Sequence, residues 1–170
     1  MTPKSLLRHP MAISRAEDFT DGSTFHRVLW DDAQKGNSTQ KLKPDDKIKR
    51  VVLCSGKVYY DLLAERDAQG LEDTYLLRVE QLYPLPSISL TQELGRFPKA
   101  EFVWCQEEPK NQGAWSFIEP ELEAILTKLR GKPTRISFAG RKASASPATG
   151  LASRHKFEQQ QLVAQALGLN

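Results

Sequence analysis

Three histidines, His9, His26 and His155, are the first residues to try for acid–base or metal chemistry. None has another His, Cys or carboxylate beside it at ligand spacing, so no metal site can be assembled around them. His155 opens the last helical segment, where capping or a contact role is the ordinary use of a polar residue. The adjacent carboxylates Glu107 and Glu108 follow an apolar run that reads as a strand. That end of a strand is where open α/β sheets gather ligands and partners. Neighbouring strand residues point to opposite faces, however, so the two cannot converge as an acid–base pair. The expectation is structural: one carboxylate toward solvent or a partner, the other toward N–H groups of the next loop. Cys54-Ser55-Gly56-Lys57 has the look of a partial phosphate cradle at a strand-to-helix turn, where free N–H groups and the helix dipole favour anions. Every βα unit has such a turn, and a plain helix start is expected. No GxGxxG, GxxxxGK[ST] or GxSxG pattern occurs. Cys54 and Cys105 lie far apart in apolar runs, which reads as buried thiols in a reducing compartment. No catalytic, cofactor-binding or metal residue is assigned.

The elements that would position these residues follow from the pattern along the chain. With 170 residues, 39% of them hydrophobic, there is enough material for one α/β domain with a core. A net charge of +3 is too small to point to nucleic acid or a membrane surface. The start lacks the apolar core of a secretory signal, which leads to the expectation of a cytosolic-type protein. Residues 1–49 read as an arm, with a short strand at Phe25–Trp30 and a polar, mobile surface loop from Asp31 to Lys49. Residues 50–170 read as the compact domain. Strands are expected at Arg50–Cys54, Thr74–Glu80, Glu101–Gln106 and Thr134–Ala139. Helices are expected over Lys57–Gln69, Ser87–Phe97 and Arg154–Leu167. A further helix carries Ile118, Leu122, Ile125, Leu126 and Leu129 as one apolar stripe. Strands alternating with helices predict a three-layer α/β/α sandwich around a mostly parallel, mixed sheet.

Several blocks then resemble one family, in family order and across nearly the whole chain. Thr2–Pro10 (TPKSLLRHP), Cys54–Tyr60 (CSGKVYY), Arg78–Pro84 (RVEQLYP), Gln106–Trp115 (QEEPKNQGAW) and Ala139–Gly150 (AGRKASASPATG) resemble the last domain of the thiamine-dependent 2-oxoglutarate dehydrogenase component. His155 and Gln159-Gln160 continue that tail. Met1 stands where the family has a strand residue, which reads as a domain cut from a longer chain with a start added.

The resemblance implies a fold similar to the transketolase C-terminal domain, with five strands of which one is antiparallel. It implies a parent homodimer that uses thiamine diphosphate and Mg²⁺, decarboxylates 2-oxoglutarate and passes succinyl to the lipoyl-lysine of a succinyltransferase component. The cofactor pocket would lie between the domains upstream of this one, so this chain alone is expected to be inactive and to serve structure and assembly. Glu107, Glu108, Pro109, Asn111, Gln112, Gly113 and Trp115 are then expected to form an interface with those domains. In that reading Gly113 permits close backbone approach, and Trp115 is an apolar anchor at a helix start. The alternative is a regulatory module binding a nucleotide or acyl-CoA near Ser23, His26 and Gln81. The family's arginines after the QLxPLP turn are replaced here by Ser87, Ile88 and Ser89, which weakens an anion site.

Overall fold

The computed structural model describes residues 3–34 and 40–169. Met1, Thr2 of the first family block, residues 35–39 of the expected mobile loop, and Asn170 lie outside the described residues. The chain forms β1 (Val28–Leu29), β2 (Arg50–Cys54), α1 (Val58–Ala68), β3 (Thr74–Val79), α2 (Ser87–Leu94), β4 (Glu101–Pro109), α3 (Trp115–Arg130), β5 (Ser137–Arg141) and α4 (Ala152–Leu167). Short 3₁₀ turns at Lys4–Leu6, Ala16–Phe19 and Asp45–Lys47 punctuate the arm and the approach to β2.

The sheet has five strands in the order β1-β3-β2-β4-β5. β1 runs antiparallel to β3, and the other neighbours are parallel. Alternation along the strands explains the layers. Val51 and Leu53 of β2, with Phe102 and Trp104 of β4, face one side and pack under Leu90, Leu94, Ile118 and Leu122 of α2 and α3. Val52, Cys54, Val103 and Cys105 face the other side, under Tyr59, Leu62, Leu162 and Ala166 of α1 and α4. The central strands are covered on both faces and therefore read as continuous apolar runs. This is the expected three-layer α/β/α sandwich with a mixed sheet.

Four local expectations need correction. β4 continues through Gln106, Glu107 and Glu108 to Pro109, because the polar residues at its end find partners described below. β5 spans Ser137–Arg141 rather than 134–139, since its register is set by pairing with β4 at Val103–Cys105 and again at Pro109. Leu129 is 37% exposed at the edge of the α3 stripe. The stretch 31–49 is not simply a surface loop: Asp31 and Ile48 are buried. Arg66 of α1 bonds the Asp31 carboxylate through Nη1, and the Leu76 N–H of β3 donates to the same oxygen at 2.7 Å. Beside it, Tyr59 donates to Asp32 at 2.8 Å and Tyr75 to Gln34 at 3.2 Å. The arm is thus latched onto the domain just beyond β1.

Candidate interface at the carboxyl edge of the sheet

Gln106 organises the end of β4. Its Oε1 accepts the Trp104 indole N–H and the Trp115 backbone N–H, both at 3.0 Å. Its Nε2 donates to the Gln112 carbonyl at 2.7 Å and approaches the Glu108 and Pro109 carbonyls at 3.3 Å. One buried amide therefore folds residues 108–115 back onto their own strand and starts α3. Gly113 closes that turn at φ +67°, where a Cβ would sit 2.9 Å from Gln106 Nε2. Trp115, expected to anchor a partner, is instead core: it is 5% exposed and its ring lies 4.9 Å from Phe138. A side chain already enclosed by its own domain has little surface left for another.

Glu107 and Glu108 diverge as alternation requires. Glu108 is exposed. Glu107 pairs with the Lys57 ammonium at 2.7 Å rather than with loop N–H groups, and its carbonyl accepts Arg141 Nη1. Lys57 also meets Asp61 at 3.3 Å. Burial pulls the Lys57 ammonium down, but Glu107 and Asp61 outweigh it and hold it above its usual range. The charge that a phosphate at the Ser55-Gly56-Lys57 turn would need is therefore already spent. Gln159 bridges Asp61 to Arg141, with both contacts at 2.8 Å. Arg141 reaches Glu158 at 3.3 Å, and its Nη2 lies 3.4 Å from His155 Nδ1. Thr149 and Arg154 bond Glu158 and hold its carboxyl below the usual range. His155 thus sits at the rim of a structural network. His9 lies against the Tyr60 ring at 5.2 Å, on the arm.

The two distinctive blocks of the sequence meet here. Asn111 Nδ2 donates to the Ser144 carbonyl and Ser144 N donates back to Asn111 Oδ1, each at 3.0 Å. Gln112 Nε2 donates a second bond to the same carbonyl at 3.0 Å, the third between the two loops. Loop 108–113 is therefore zipped to loop 142–149. The resulting surface exposes Glu108, Lys110, Asn111 and Gly113 beside Lys142 and the small residues of 143–148. Pro109 is buried and Gln112 half-buried beneath it.

The residues expected around an effector are partly brought together. His26 and Gln81 line a cleft of about 1300 Å³ between the arm and α2, and Ser23 does not. Arg15 and Arg27 line it as well, as do Asp18, Asp32 and Glu93. Sequence reasoning missed Gln106, the Lys57–Arg141 network, the Asp31–Arg66 latch and the two arm arginines. Gln106, Lys57 and Arg141 lay inside blocks already singled out, but their contacts join separate blocks and are not visible in any one of them.

Residues 13–167 match the family described as 2-oxoglutarate dehydrogenase C-terminal. Over 169 residues, 99% of the chain, it is 58% identical to the 2-oxoglutarate dehydrogenase E1 component of Brucella anthropi and 59% identical to that of Brucella ovis. The protein of the same name from Brucella abortus is 58% identical over the same length. The chain spans about 17% of the length of these relatives.

Proposed function

The chain belongs to the 2-oxoglutarate dehydrogenase C-terminal family, and on that premise we propose that it is the assembly domain of a 2-oxoglutarate dehydrogenase E1 component. In this reading it docks onto the remainder of the polypeptide, within a homodimer that works with a succinyltransferase component in the cytoplasm. Residues 1–49 act as an arm and residues 50–170 as the domain that docks, with β1 and Asp31 holding the two together. The observation that carries the proposal is the zipped pair of loops. Sequence spent on Gln106, Asn111, Gln112 and Ser144 builds one preorganised outer surface, while the charges beneath it neutralise each other. Exposed small side chains at 143–148 allow another backbone to come close.

The resemblance implies thiamine diphosphate and Mg²⁺ in the parent enzyme. The residues of this chain do not fit either group: among the described residues no three His, Cys, Asp or Glu side chains gather as metal ligands, and Lys57 is committed to Glu107 and Asp61. We therefore assign both to the remainder of the polypeptide. The test is Ala145→Arg, which adds bulk at an exposed position of the surface. It should leave the unfolding free energy of this domain within about 0.5 kcal/mol. In the intact E1 component it should lower 2-oxoglutarate-dependent turnover and loosen docking by roughly 1–3 kcal/mol. Wild-type turnover and sedimentation would overturn the assignment.

A second reading, a regulatory module for a nucleotide or acyl-CoA, is favoured by the cleft that holds His26, Gln81, Arg15 and Arg27. The acidic side chains in the same cleft imply weak binding. A thermal-shift screen with adenine nucleotides tests it, and stabilisation that survives Arg27→Glu would count against this cleft.

A further inference from the structure

The turn that leads from β3 into α2 holds one aromatic side chain out in the open. Tyr83 is 81% exposed, although the chain on both sides of it is anchored. Leu82 and Leu85 pack against the core, and Gln81 Nε2 donates to the Pro84 carbonyl at 2.6 Å. The Tyr83 ring meets Phe117 edge-on, with 6.3 Å between centroids. Phe117 is 43% exposed in the first turn of α3, and Ile88 is 78% exposed in the first turn of α2. The two helices are in contact, and both begin at the carboxyl edge, where the zipped loops lead into α3. No charged residue occurs from Leu82 to Gln92 or from Gly113 to Ile118. A lone exposed apolar side chain is ordinary; three of them on uncharged segments at the starts of two packed helices are a surface made for contact.

We propose that Tyr83, flanked by Phe117 and Ile88, is an apolar anchor that seats this domain on the remainder of its own polypeptide. The inference rests on the docking reading and adds to it a contact that lies outside Glu107–Trp115. A ring already held outward by a pinned turn gives up little freedom on contact, and a buried Tyr is a frequent anchor of interfaces. The lack of charge selects the occupant. Permanent contacts are more apolar than transient ones, so a partner that never leaves is favoured over the succinyltransferase component. The chain spans about 17% of the length of its relatives, so a polypeptide of that size has ample chain to cover the patch.

The test is hydroxyl-radical footprinting, read by mass spectrometry, of this chain alone and of the intact E1 component. Tyr83 and Phe117 should be oxidised about tenfold more slowly in the intact component, because an anchor in its recess is shut off from water. In the intact component Tyr83→Asp should lower 2-oxoglutarate-dependent turnover about tenfold or more, and Tyr83→Phe should not. The urea midpoint of this chain should be unchanged by Tyr83→Asp, since the side chain is exposed. Equal oxidation in the two samples would overturn the inference. So would protection that appears only when the succinyltransferase component is added, or protection in this chain alone that grows with its concentration, the mark of a second copy. Impaired turnover of Ala145→Arg together with equal oxidation of Tyr83 would remove this inference and leave the docking reading standing. Wild-type turnover of both Ala145→Arg and Tyr83→Asp would remove both.

Discussion

The side chain of Gln106 holds two N–H donors with its oxygen, and its nitrogen donates to the Gln112 carbonyl beside those of Glu108 and Pro109, and no sequence pattern announces such a role. An amide is uncharged and belongs to no catalytic or ligand motif, so attention falls on the neighbouring carboxylates. Their divergence could be read in advance from strand alternation, because that rule needs only spacing. The partner of Glu107 could not, because Lys57 reaches it from the start of another element. Trp115 was misassigned for a related reason: its type suits a core and an interface equally, and only the position of Phe138 decides between them. With Trp115 enclosed and its N–H tied to Gln106, Trp115→Ala should destabilise this chain itself by about 3–5 kcal/mol. Urea unfolding followed by circular dichroism measures this. A loss under about 1 kcal/mol would return the side chain to the interface reading.

At the scale of elements, the helices and the central strands were legible because burial on one or both faces imposes a period. β2, α1, β3 and α4 fall within a few residues of their expected bounds. β5 was displaced because its limits come from pairing with β4, including the lone partner at Pro109–Arg141 across an irregular stretch. The arm was the least legible element. Its polar composition hid Asp31, whose carboxylate meets the Leu76 N–H of β3 a short way beyond the pairing of β1. Asp31 and Arg66 are both fully buried; Arg66 is the cation that faces Asp31, and Arg66 itself also pairs with Asp67 at 3.1 Å. Asp31→Ala should cost up to about 3–5 kcal/mol, because it removes one of the two carboxylates on the buried Arg66 guanidinium and leaves the Leu76 N–H without its acceptor. Replacing both, as in Asp31→Leu with Arg66→Leu, should cost clearly less than the sum of the single changes. The four urea midpoints of that cycle test the latch, and strict additivity would mean that the two charges do not support each other.

At the scale of the whole molecule, the sheet presents two unlike edges. The carboxyl edge is closed by a ring of mutually paired charges and capped by two zipped loops; at the opposite edge Arg130, in the last turn of α3, is tied to the Ala100 carbonyl and lies over the Phe102 ring. The first arrangement suits docking more than chemistry, and Asn111 is the residue on which its shape turns. Asn111→Ala removes both bonds to the Ser144 backbone while leaving Gln106 and the core untouched. Exposed hydrogen bonds of this kind contribute roughly 0.5–1.5 kcal/mol each, so the global unfolding midpoint should move little. Hydrogen exchange at the Ser144 amide should instead accelerate, since its acceptor is gone and the loop opens locally. In the intact E1 component the same change should reduce 2-oxoglutarate turnover in step with weaker docking, because a surface that is no longer preorganised must be ordered on contact. Faster exchange at Ser144 with unaltered turnover would mean that the zipped loops serve only this domain. Unchanged exchange would mean that Asn111 Oδ1 does not protect the Ser144 amide and would overturn the zipped arrangement of the two loops.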